Sequence, residues 1–316
     1  MNIKILSSLA TEKRKNVLTI GTHNGIFHSD EVLACAILCL TNSYMSIQIL
    51  RTRDSELLKQ CDICVDIGGG DFDHHQPGFS KARQNGIKYA SAGLIWKSYG
   101  KQLIEKCLLK HFPEITDSIF QSFDDSFIAL VDCEDNGVPT AKHSFSFISS
   151  FLPLWFDNST DDFNNQFYKV LTTTITVLEE ELKTAIGKEM AKTILLSNWN
   201  DDNYFSNGIL EIPSQTIDWV ETVININNSA ETKPVNFVIF PYPNGGWAAQ
   251  CVPPSLENKF GQRISFPKEW AGQTDKLPEI SGVSGATFCH NGRFFVRASS
   301  KEAITEMCNI ATNSVL

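Results

Sequence analysis

Short apolar runs alternate with helical patterns over the first 70 residues of the chain. Val17–Thr22 is apolar and rich in β-branched residues, which predicts a buried strand. Glu31–Leu40 has the length and composition of a buried helix, with Asp30 as its N-cap. The pattern continues with a second strand, a short helix and a third strand: Ile47–Arg51, Asp54–Gln60 and Cys61–Ile67. This order indicates a parallel sheet with helices on its faces.

The rest of the chain predicts a helical region followed by a lobe with hairpins. Helices are expected over three segments: Ser91–Lys110 with an interruption near Gly100, Ser118–Asp132, and Phe163–Ser197. Two hairpins and a terminal helix follow: Val235–Phe240 with Trp247–Val252, Ala286–His290 with Arg293–Ala298, and Lys301–Ala311. We therefore expect an α/β fold, a parallel sheet flanked by helices, with a second, smaller α+β lobe. The expected domains are 1–160 and 205–316, joined by a helical linker over 161–204.

Composition narrows the classes of function. The 316 residues are 42% hydrophobic and 20% charged, which excludes a disordered or collagen-like chain. The net charge of −9 excludes a generally basic nucleic-acid-binding surface but leaves room for a local basic groove. Nine cysteines, an odd number in a long chain, favour thiols in a reducing compartment. Without a long apolar stretch or a convincing secretory signal, we expect a cytoplasmic protein with no membrane partner.

Imidazoles and carboxylates concentrate at the ends of the predicted strands. His23, His28 and Asp30 follow the first strand, Asp66 ends the third, and Asp73-His74-His75 comes a few residues later. The carboxyl ends of parallel strands meet at one edge of a sheet, so these groups are expected to converge. Mixed histidine and carboxylate ligands suit a divalent transition metal, and one carboxylate can bridge two ions. Histidine ligands favour Mn²⁺ over Mg²⁺, which prefers oxygen.

Each of these residues also has a purely structural explanation. Asp30 is a plausible helix cap, Asp66 a strand end, and His74-His75 a solvated turn. The conjunction of three such clusters at predicted strand ends is what indicates a functional site. By contrast, the C-x-x-C of Cys61 and Cys64 has no second C-x-x-C to accompany it, so a structural zinc site is not expected there.

Arginines at the end of the second strand are candidates for phosphate contacts. If the topology is correct, Arg51 and Arg53 border the same sheet edge as the histidines. Alternatively, Asp54 simply pairs with one of them in a solvated ion pair.

The motifs resemble one known family along nearly the whole chain. Asp73-His74-His75 matches the signature of the DHH phosphoesterase superfamily, and the wider set is similar to the Myg-type exonucleases (melanocyte proliferating gene proteins) within it. The matching segments are GTHNGIFHSDEVLACAIL from Gly21, RTRD from Arg51, VDIGG from Val65, DHHQ from Asp73, SAGLIW from Ser91, VDCEDNG from Val131, QCVP from Gln250 and SGVSGATFCH from Ser281.

The resemblance implies a DHH-like fold and two divalent ions, usually Mn²⁺. In that arrangement His23 holds one ion, Asp30, His74 and Asp132 hold the other, and Asp66 bridges them. His75 faces the substrate phosphate or the attacking water, and Asp73 orients His75 or the turn. His28 stands where the superfamily has an aspartate, in a loop one residue longer. Whether Glu31, Glu134 or Asp135 joins the metal shell stays open.

The activity that the resemblance implies is a 3′-to-5′ exonuclease that hydrolyses RNA by a two-metal mechanism. RNA or a short oligonucleotide is then the partner, and no obligate protein partner is expected. Family members in nucleated cells are also associated with the nucleus and mitochondria. Two alternatives remain open: a hydrolase of a small phosphate substrate such as pyrophosphate, and a catalytically inactive RNA- or nucleotide-binding module.

The second lobe is expected to grip the substrate. Arg293 and Arg297 are four residues apart on a predicted strand, so they would share a face and clamp a phosphate. An edge strand protected by charge is the alternative. His290 is either a hairpin residue or a substrate contact. The family pattern has a Gly-Gly near this point, whereas this chain has Val296-Arg297, which motivates the alternatives without RNA hydrolysis.

Overall fold

The chain divides into two units, Met1–Ile186 and Gly187–Leu316. The computed structural model describes residues 2–8, 16–42, 46–108, 115–140, 146–156, 158–229 and 233–314. Residues 161–199 of the predicted linker 161–204 lie in a 40-residue helix, Thr160–Trp199, whose residues belong to both units. Among the described residues, no helix has the length and apolar character that a membrane crossing requires.

The first unit contains a parallel sheet of four strands in the order β1-β3-β2-β4. The strands are β1 Asn2–Leu6, β2 Val17–Thr22, β3 Ser46–Arg51 and β4 Ile63–Cys64. The predicted parallel sheet is confirmed, with β1 as an additional strand. Strand β4 is shorter than the predicted Cys61–Ile67 because Asp66 takes a left-handed backbone conformation with φ 60°, which breaks the extended chain.

Helices alternate with or follow these strands, and their buried apolar residues contribute to the core. They are α1 Ser29–Thr41, α2 Ser55–Leu58, α3 Ser91–Cys107, α4 Thr116–Phe123, α5 Ala129–Asp135 and α6 Thr160–Trp199. Helix α1 buries almost every residue, as its continuous apolar run predicts, and packs against α3. The expected N-cap Asp30 is wrong: His28 precedes the helix, and Asp30 lies in its first turn.

Two further details of this unit differ from the prediction. Helix α3 continues through Gly100, where the absence of a side chain lets the Trp96 ring pack closely. The predicted helix Ser118–Asp132 is α4, a π-helical turn at Asp124–Ile128, and α5. The sequence pattern therefore predicts both helical regions but not their continuity.

The second unit is built on a six-stranded sheet in the order β5-β6-β7-β8-β10-β9. Its elements are β5 Phe205–Ser206, β6 Ile209–Glu211, α7 Val220–Ser229, β7 Phe237–Pro241, β8 Trp247–Cys251, α8 Leu277–Ser281, β9 Ala286–Cys289, β10 Phe295–Ala298 and α9 Lys301–Asn313. Both predicted hairpins, β7–β8 and β9–β10, are confirmed as antiparallel pairs. Helix α9 packs on the sheet through Ile304 and Met307, which are fully buried. This unit is the α+β lobe that the sequence predicts.

Candidate metal centre

The first part of the centre comes from the loop after β2 and the first turn of α1. His23 directly follows β2, whereas Asp30 and Glu31 occupy the first helical turn, where acidic side chains are stabilised by the helix dipole. Glu31 is fully buried, and its Oε2 accepts a hydrogen bond of 2.7 Å from the backbone N–H of His28. Its Oε1 lies 3.2 Å from His23 Nε2. The helix start therefore holds a carboxylate against the first histidine.

Asp66 lies at the middle of the centre, two residues beyond β4. Its Oδ2 is 3.2 Å from His23 Nε2, and its Oδ1 is 3.3 Å from His74 Nδ1 and 3.0 Å from His75 Nδ1. The hydroxyl of Ser91, at the start of α3, donates to Oδ1 at 3.2 Å. The backbone of Asp66 is left-handed, and this conformation directs its carboxylate towards three imidazoles. Such a conformation costs free energy and persists only where the surrounding contacts hold it in place.

The Asp73-His74-His75 turn supplies the third part. His74 is mostly buried, with Nε2 2.9 Å from Asp135 Oδ2 and Nδ1 3.8 Å from Asp30 Oδ2. His75 is 62% exposed, so most of its ring faces solvent. Asp73 accepts hydrogen bonds from the backbone N–H groups of His75, at 3.0 Å, and Gly69, at 2.8 Å. Asp73 therefore fixes the turn that presents both histidines.

These side chains form three overlapping groups of potential metal ligands. Within each group the donor atoms all lie within 4.8 Å of one another: His23, His28, Glu31 and Asp66; Asp66, His74 and His75; and His28, Asp30 and Asp135. Asp66 and His28 each belong to two groups. Asp30 Oδ1 is buried and has no hydrogen-bond partner among the described residues, an arrangement that a cation would satisfy. The residues thus fit a divalent metal with nitrogen and oxygen ligands.

The electrostatics of the cluster also favour a cation. Burial, followed by the charges of Asp66, Asp135 and Glu31, raises the pKa of Asp30 well above its ordinary value. Burial lowers the pKa of His23, but hydrogen bonds to Asp66 and Glu31 outweigh it and raise the pKa to about 10. The raised pKa values of His23 and Asp30 favour their protonated forms. A divalent cation would displace those protons, so metal binding is expected to release them.

His74 and Asp135 form a coupled pair within the same cluster. Burial lowers the pKa of His74, but the hydrogen bond and charge of Asp135 outweigh it, so the pKa is raised. Burial raises the pKa of Asp135, and His74 together with a hydrogen bond from Asp30 reverses this and lowers it. The lowered pKa favours the ionised form of Asp135, whose Oδ2 lies 2.9 Å from His74 Nε2.

Asp132 has a different environment from the one that the resemblance implied. Its Oδ2 lies 2.7 Å from Arg83 Nη1, and its Oδ1 accepts a 3.0 Å hydrogen bond from the backbone N–H of Gly93. Burial raises the pKa of Asp132 to about 7, although Arg83 and Gly93 oppose the rise. Asp132 is absent from the three ligand groups found among the described residues. A ligand role for Asp132 stays a prediction, whereas Asp135, three residues further along α5, lies 2.9 Å from His74 Nε2 and belongs to one of the ligand groups.

Arg83 links Asp132 to the π-helical turn. Its guanidinium makes hydrogen bonds of 2.6 and 2.8 Å to the two carboxylate oxygens of Asp124 and stacks 4.3 Å from the centre of the Tyr89 ring. One buried cation thus ties the π-turn to α5. This pairing has no signal in the sequence, because Arg83 lies in an irregular segment between predicted elements.

Arg51 serves the interior of the first unit. It is 1% exposed, donates to Gly25 O at 2.8 Å and to Asn164 Oδ1 at 3.2 Å, and lies 4.4 Å from the centre of the Phe167 ring. This burial leaves little surface for a substrate phosphate, and a phosphate contact by Arg51 stays a prediction. In the structure Arg51 contacts the loop that carries His23 and His28 through Gly25.

Arg53 and Asp54 follow at the end of the same strand. Arg53 is exposed, and its role as a phosphate contact stays a prediction. Asp54 caps α2 by accepting from the backbone N–H groups of Glu56, at 2.8 Å, and Leu57, at 3.3 Å. Its main structural role is therefore at the helix terminus.

The second unit does not present the expected pair of arginines on one strand. Arg293 lies in the turn before β10 with φ 58° and donates to Phe266 O at 3.1 Å, whereas Arg297 is within β10 and lies 3.9 Å from the centre of the Tyr242 ring. The shared strand face is therefore wrong, because Arg293 is outside the strand. His290 is exposed, and its Nδ1 accepts from the backbone N–H of Gly292 at 3.0 Å.

Fold and site together define an α/β protein with a histidine–carboxylate centre suited to divalent cations. Residues 19–312 match the sequence model named MYG1_exonuc and described as "Uncharacterised protein family (UPF0160)". The chain therefore belongs to this MYG1 exonuclease family. No solved structure matches the chain.

Curated relatives cover most of the chain. The MYG1 protein of Dictyostelium discoideum is 31% identical, over 90% of this chain and 93% of its own length. The MYG1 exonuclease of Mus musculus is 28% identical over 94% of this chain and 86% of its own, and the MYG1 protein C694.04c of Schizosaccharomyces pombe is 30% identical over 94% and 98%. The similarity thus spans both units.

Proposed function

We propose that the protein is a metal-dependent nuclease that hydrolyses phosphodiester bonds. The observation that carries this proposal is the position of Asp66, whose carboxylate belongs to two groups of potential metal ligands at once. The naming of the mouse relative as an exonuclease supports the same class of activity.

We assign the ligands to two divalent ions, with Mn²⁺ preferred because imidazole is present in both sets. His23, His28, Glu31 and Asp66 would hold one ion, whereas Asp66, His74, Asp30 and Asp135 would hold the other. When bound, such ions neutralise phosphate charge and make water more acidic. Asp66 is the shared ligand, so its loss should affect both positions.

His75 is the side chain best placed to meet a substrate. Its Nδ1 lies 3.0 Å from Asp66 and 3.6 Å from Asp73, so these carboxylates would retain the proton on that nitrogen. The exposed remainder of the ring can then contact a phosphate oxygen or the departing group. Asp73 orients this imidazole through the backbone of the turn.

For the substrate we propose RNA, degraded from its 3′ end, as the resemblance to the Myg-type exonucleases implies. The net charge of −9 favours short or locally held strands over long duplexes. Arg53 is a candidate contact for a strand phosphate because it is exposed just beyond β3. A small phosphate substrate such as pyrophosphate is the second candidate, favoured by the burial of Arg51 and by the position of Arg293 outside β10. The cytoplasm is the compartment that we propose.

A labelled-RNA assay tests the proposal. Metal-depleted protein is incubated with a 5′-labelled RNA oligonucleotide after addition of Mn²⁺ or Mg²⁺, and products are separated by length. We expect stepwise shortening with Mn²⁺ and protection of an oligonucleotide whose 3′ end is blocked. Asp66→Asn and His74→Ala should lose at least about a hundredfold in rate, since the first removes a ligand from both groups. Asp117→Asn, at a carboxylate that is 81% exposed, is the matched control.

Three results would contradict this assignment. Equal RNA shortening by wild type and Asp66→Asn would show that the centre is not responsible. Phosphate release from pyrophosphate without any action on RNA would favour the small-substrate hydrolase. Tight RNA binding with fewer than two metal ions per chain and no turnover would instead identify a binding module.

A further inference from the structure

The thiols of Cys61 and Cys64 lie together over one glycine. Gly21 of β2 pairs with Cys64 of β4, and a Cβ built on Gly21 would lie 2.9 Å from Cys61 Sγ and 3.0 Å from Cys64 Sγ. Each thiol also donates to a backbone carbonyl of the preceding segment, Cys61 to Leu57 O at 3.7 Å and Cys64 to Leu58 O at 3.5 Å. The missing side chain at Gly21 therefore leaves a space that the two sulfur atoms share.

Exposure distinguishes this pair from the other cysteines. Both thiols are partly exposed, whereas six of the nine cysteines are buried and Cys107 is exposed at the end of α3. Buried thiols are protected from solutes, and a disulfide within the protein needs a second thiol in reach. Cys61 and Cys64 thus combine exposure to solutes with a neighbouring thiol.

We propose that Cys61 and Cys64 form a reversible disulfide by exchange with a low-molecular-weight disulfide. The Cys61 thiol loses its proton to water, and the resulting thiolate attacks one sulfur of the small disulfide, whose other half leaves as a thiolate. Cys64 then loses its proton to water and attacks the Cys61 sulfur, and the second half leaves as a thiolate. Two protein thiols are oxidised, and one small disulfide is reduced to two thiols.

The position of the pair connects it to the candidate metal centre. Cys64 ends β4, the N–H of Val65 donates to Gly21 O at 2.9 Å, and Asp66 follows at once. Drawing Cys64 towards Cys61 would therefore shift the backbone that carries the shared carboxylate. This consequence rests on the proposed metal-binding function, whereas the disulfide itself rests only on the geometry over Gly21.

Thiol counting with glutathione disulfide tests the disulfide. Reduced wild-type protein is oxidised, alkylated under denaturing conditions and digested. We expect two of the nine thiols to be lost, a peptide linking Cys61 to Cys64, and full recovery with dithiothreitol. Cys107→Ser should still form this link, whereas Cys61→Ser and Cys64→Ser should each abolish it. A glutathione adduct alone, a link to another cysteine, or no loss of thiols would overturn the proposal.

A metal titration separates the two claims. Mn²⁺ is titrated into reduced and oxidised protein, and we expect binding to be weaker by about fivefold or more after oxidation and to be restored by dithiothreitol. Equal Mn²⁺ binding by protein with a proven disulfide would overturn the connection to Asp66. A proven disulfide in protein that binds no Mn²⁺ in either form would instead count against the proposed function.

Discussion

Replacing Gly93 by alanine is expected to destabilise the first unit. A Cβ at this position in α3 would lie 1.9 Å from Asp132 Oδ2, 2.7 Å from Arg83 Nη2 and 2.8 Å from Tyr89 Cδ1. The first of these contacts is far below any real Cβ distance, and Asp132 is fully buried. The carboxylate must therefore leave its position between Arg83 and the backbone N–H of Gly93.

The magnitude follows from two opposing effects. Breaking a buried ion pair costs about 3–5 kcal/mol, because a charge is left without its partner. Alanine is favoured over glycine inside a helix by about 1 kcal/mol, which offsets part of this cost. We therefore expect Gly93→Ala to lower the free energy of unfolding by about 2–4 kcal/mol.

Urea denaturation followed by circular dichroism measures this difference. Gly187→Ala is the matched control, since Gly187 is also helical, is exposed, and would place its new Cβ with no other atom within 4 Å. That variant should gain about 0.5–1 kcal/mol from helix propensity alone. If Gly93→Ala is as stable as Gly187→Ala, then Asp132 is not held as described and the reasoning fails.

Three further outcomes test the charge distribution of the centre. In metal-free protein, Asp30→Asn should raise the unfolding temperature, because burial and the charges of Asp66 and Asp135 disfavour a carboxylate at this position. Calorimetry without a chelator should show weaker Mn²⁺ binding by the same variant. A lower unfolding temperature would contradict this prediction. The pKa values of His23 and Asp30 are both higher in the folded protein than in the unfolded chain. Proton binding at these two residues therefore stabilises the folded state fully at a pH below their unfolded-state pKa values, and this stabilisation is lost as the pH rises. The metal-free wild type should therefore unfold at progressively lower temperature as pH rises from 6.5 to about 10, and a midpoint that does not fall would refute the raised values. Asp132→Asn should lower the free energy of unfolding, measured by urea denaturation, by about 3 kcal/mol and leave the number of bound Mn²⁺ ions unchanged. Asp135→Asn should reduce the number of bound Mn²⁺ ions. The reverse pattern would identify Asp132 as the ligand.

Much of the first unit is predictable because its elements have strong periodicity. Strands β2 and β3 and helix α1 are apolar runs with clear ends, and their alternation specifies a parallel sheet. Strand β1 escapes prediction because Asn2–Leu6 is only half buried, so its apolar positions do not form a continuous run. Local pattern predicts a strand well only where the tertiary structure buries it.

The sequence predicts which groups of residues converge at the candidate site, but it does not predict which side chains contact each other there. His23, Asp66 and His74 follow strand ends, and topology alone brings such residues together. The choice between Asp132 and Asp135 depends on the rotation of α5, which a local pattern does not specify. The role of Arg51 is also hidden, since its partner Asn164 is 113 residues away along the chain.

The π-helical turn at Asp124–Ile128 holds one residue more than the α-helical turn it replaces, and both complete one full rotation. Removing one residue there would therefore leave a regular turn and keep Asp132 towards Arg83 and Asp135 towards His74. In regular helix each residue advances the chain by about 100°. An insertion or deletion between Ala129 and Asp132 in α5 would therefore rotate both carboxylates away from their partners at once.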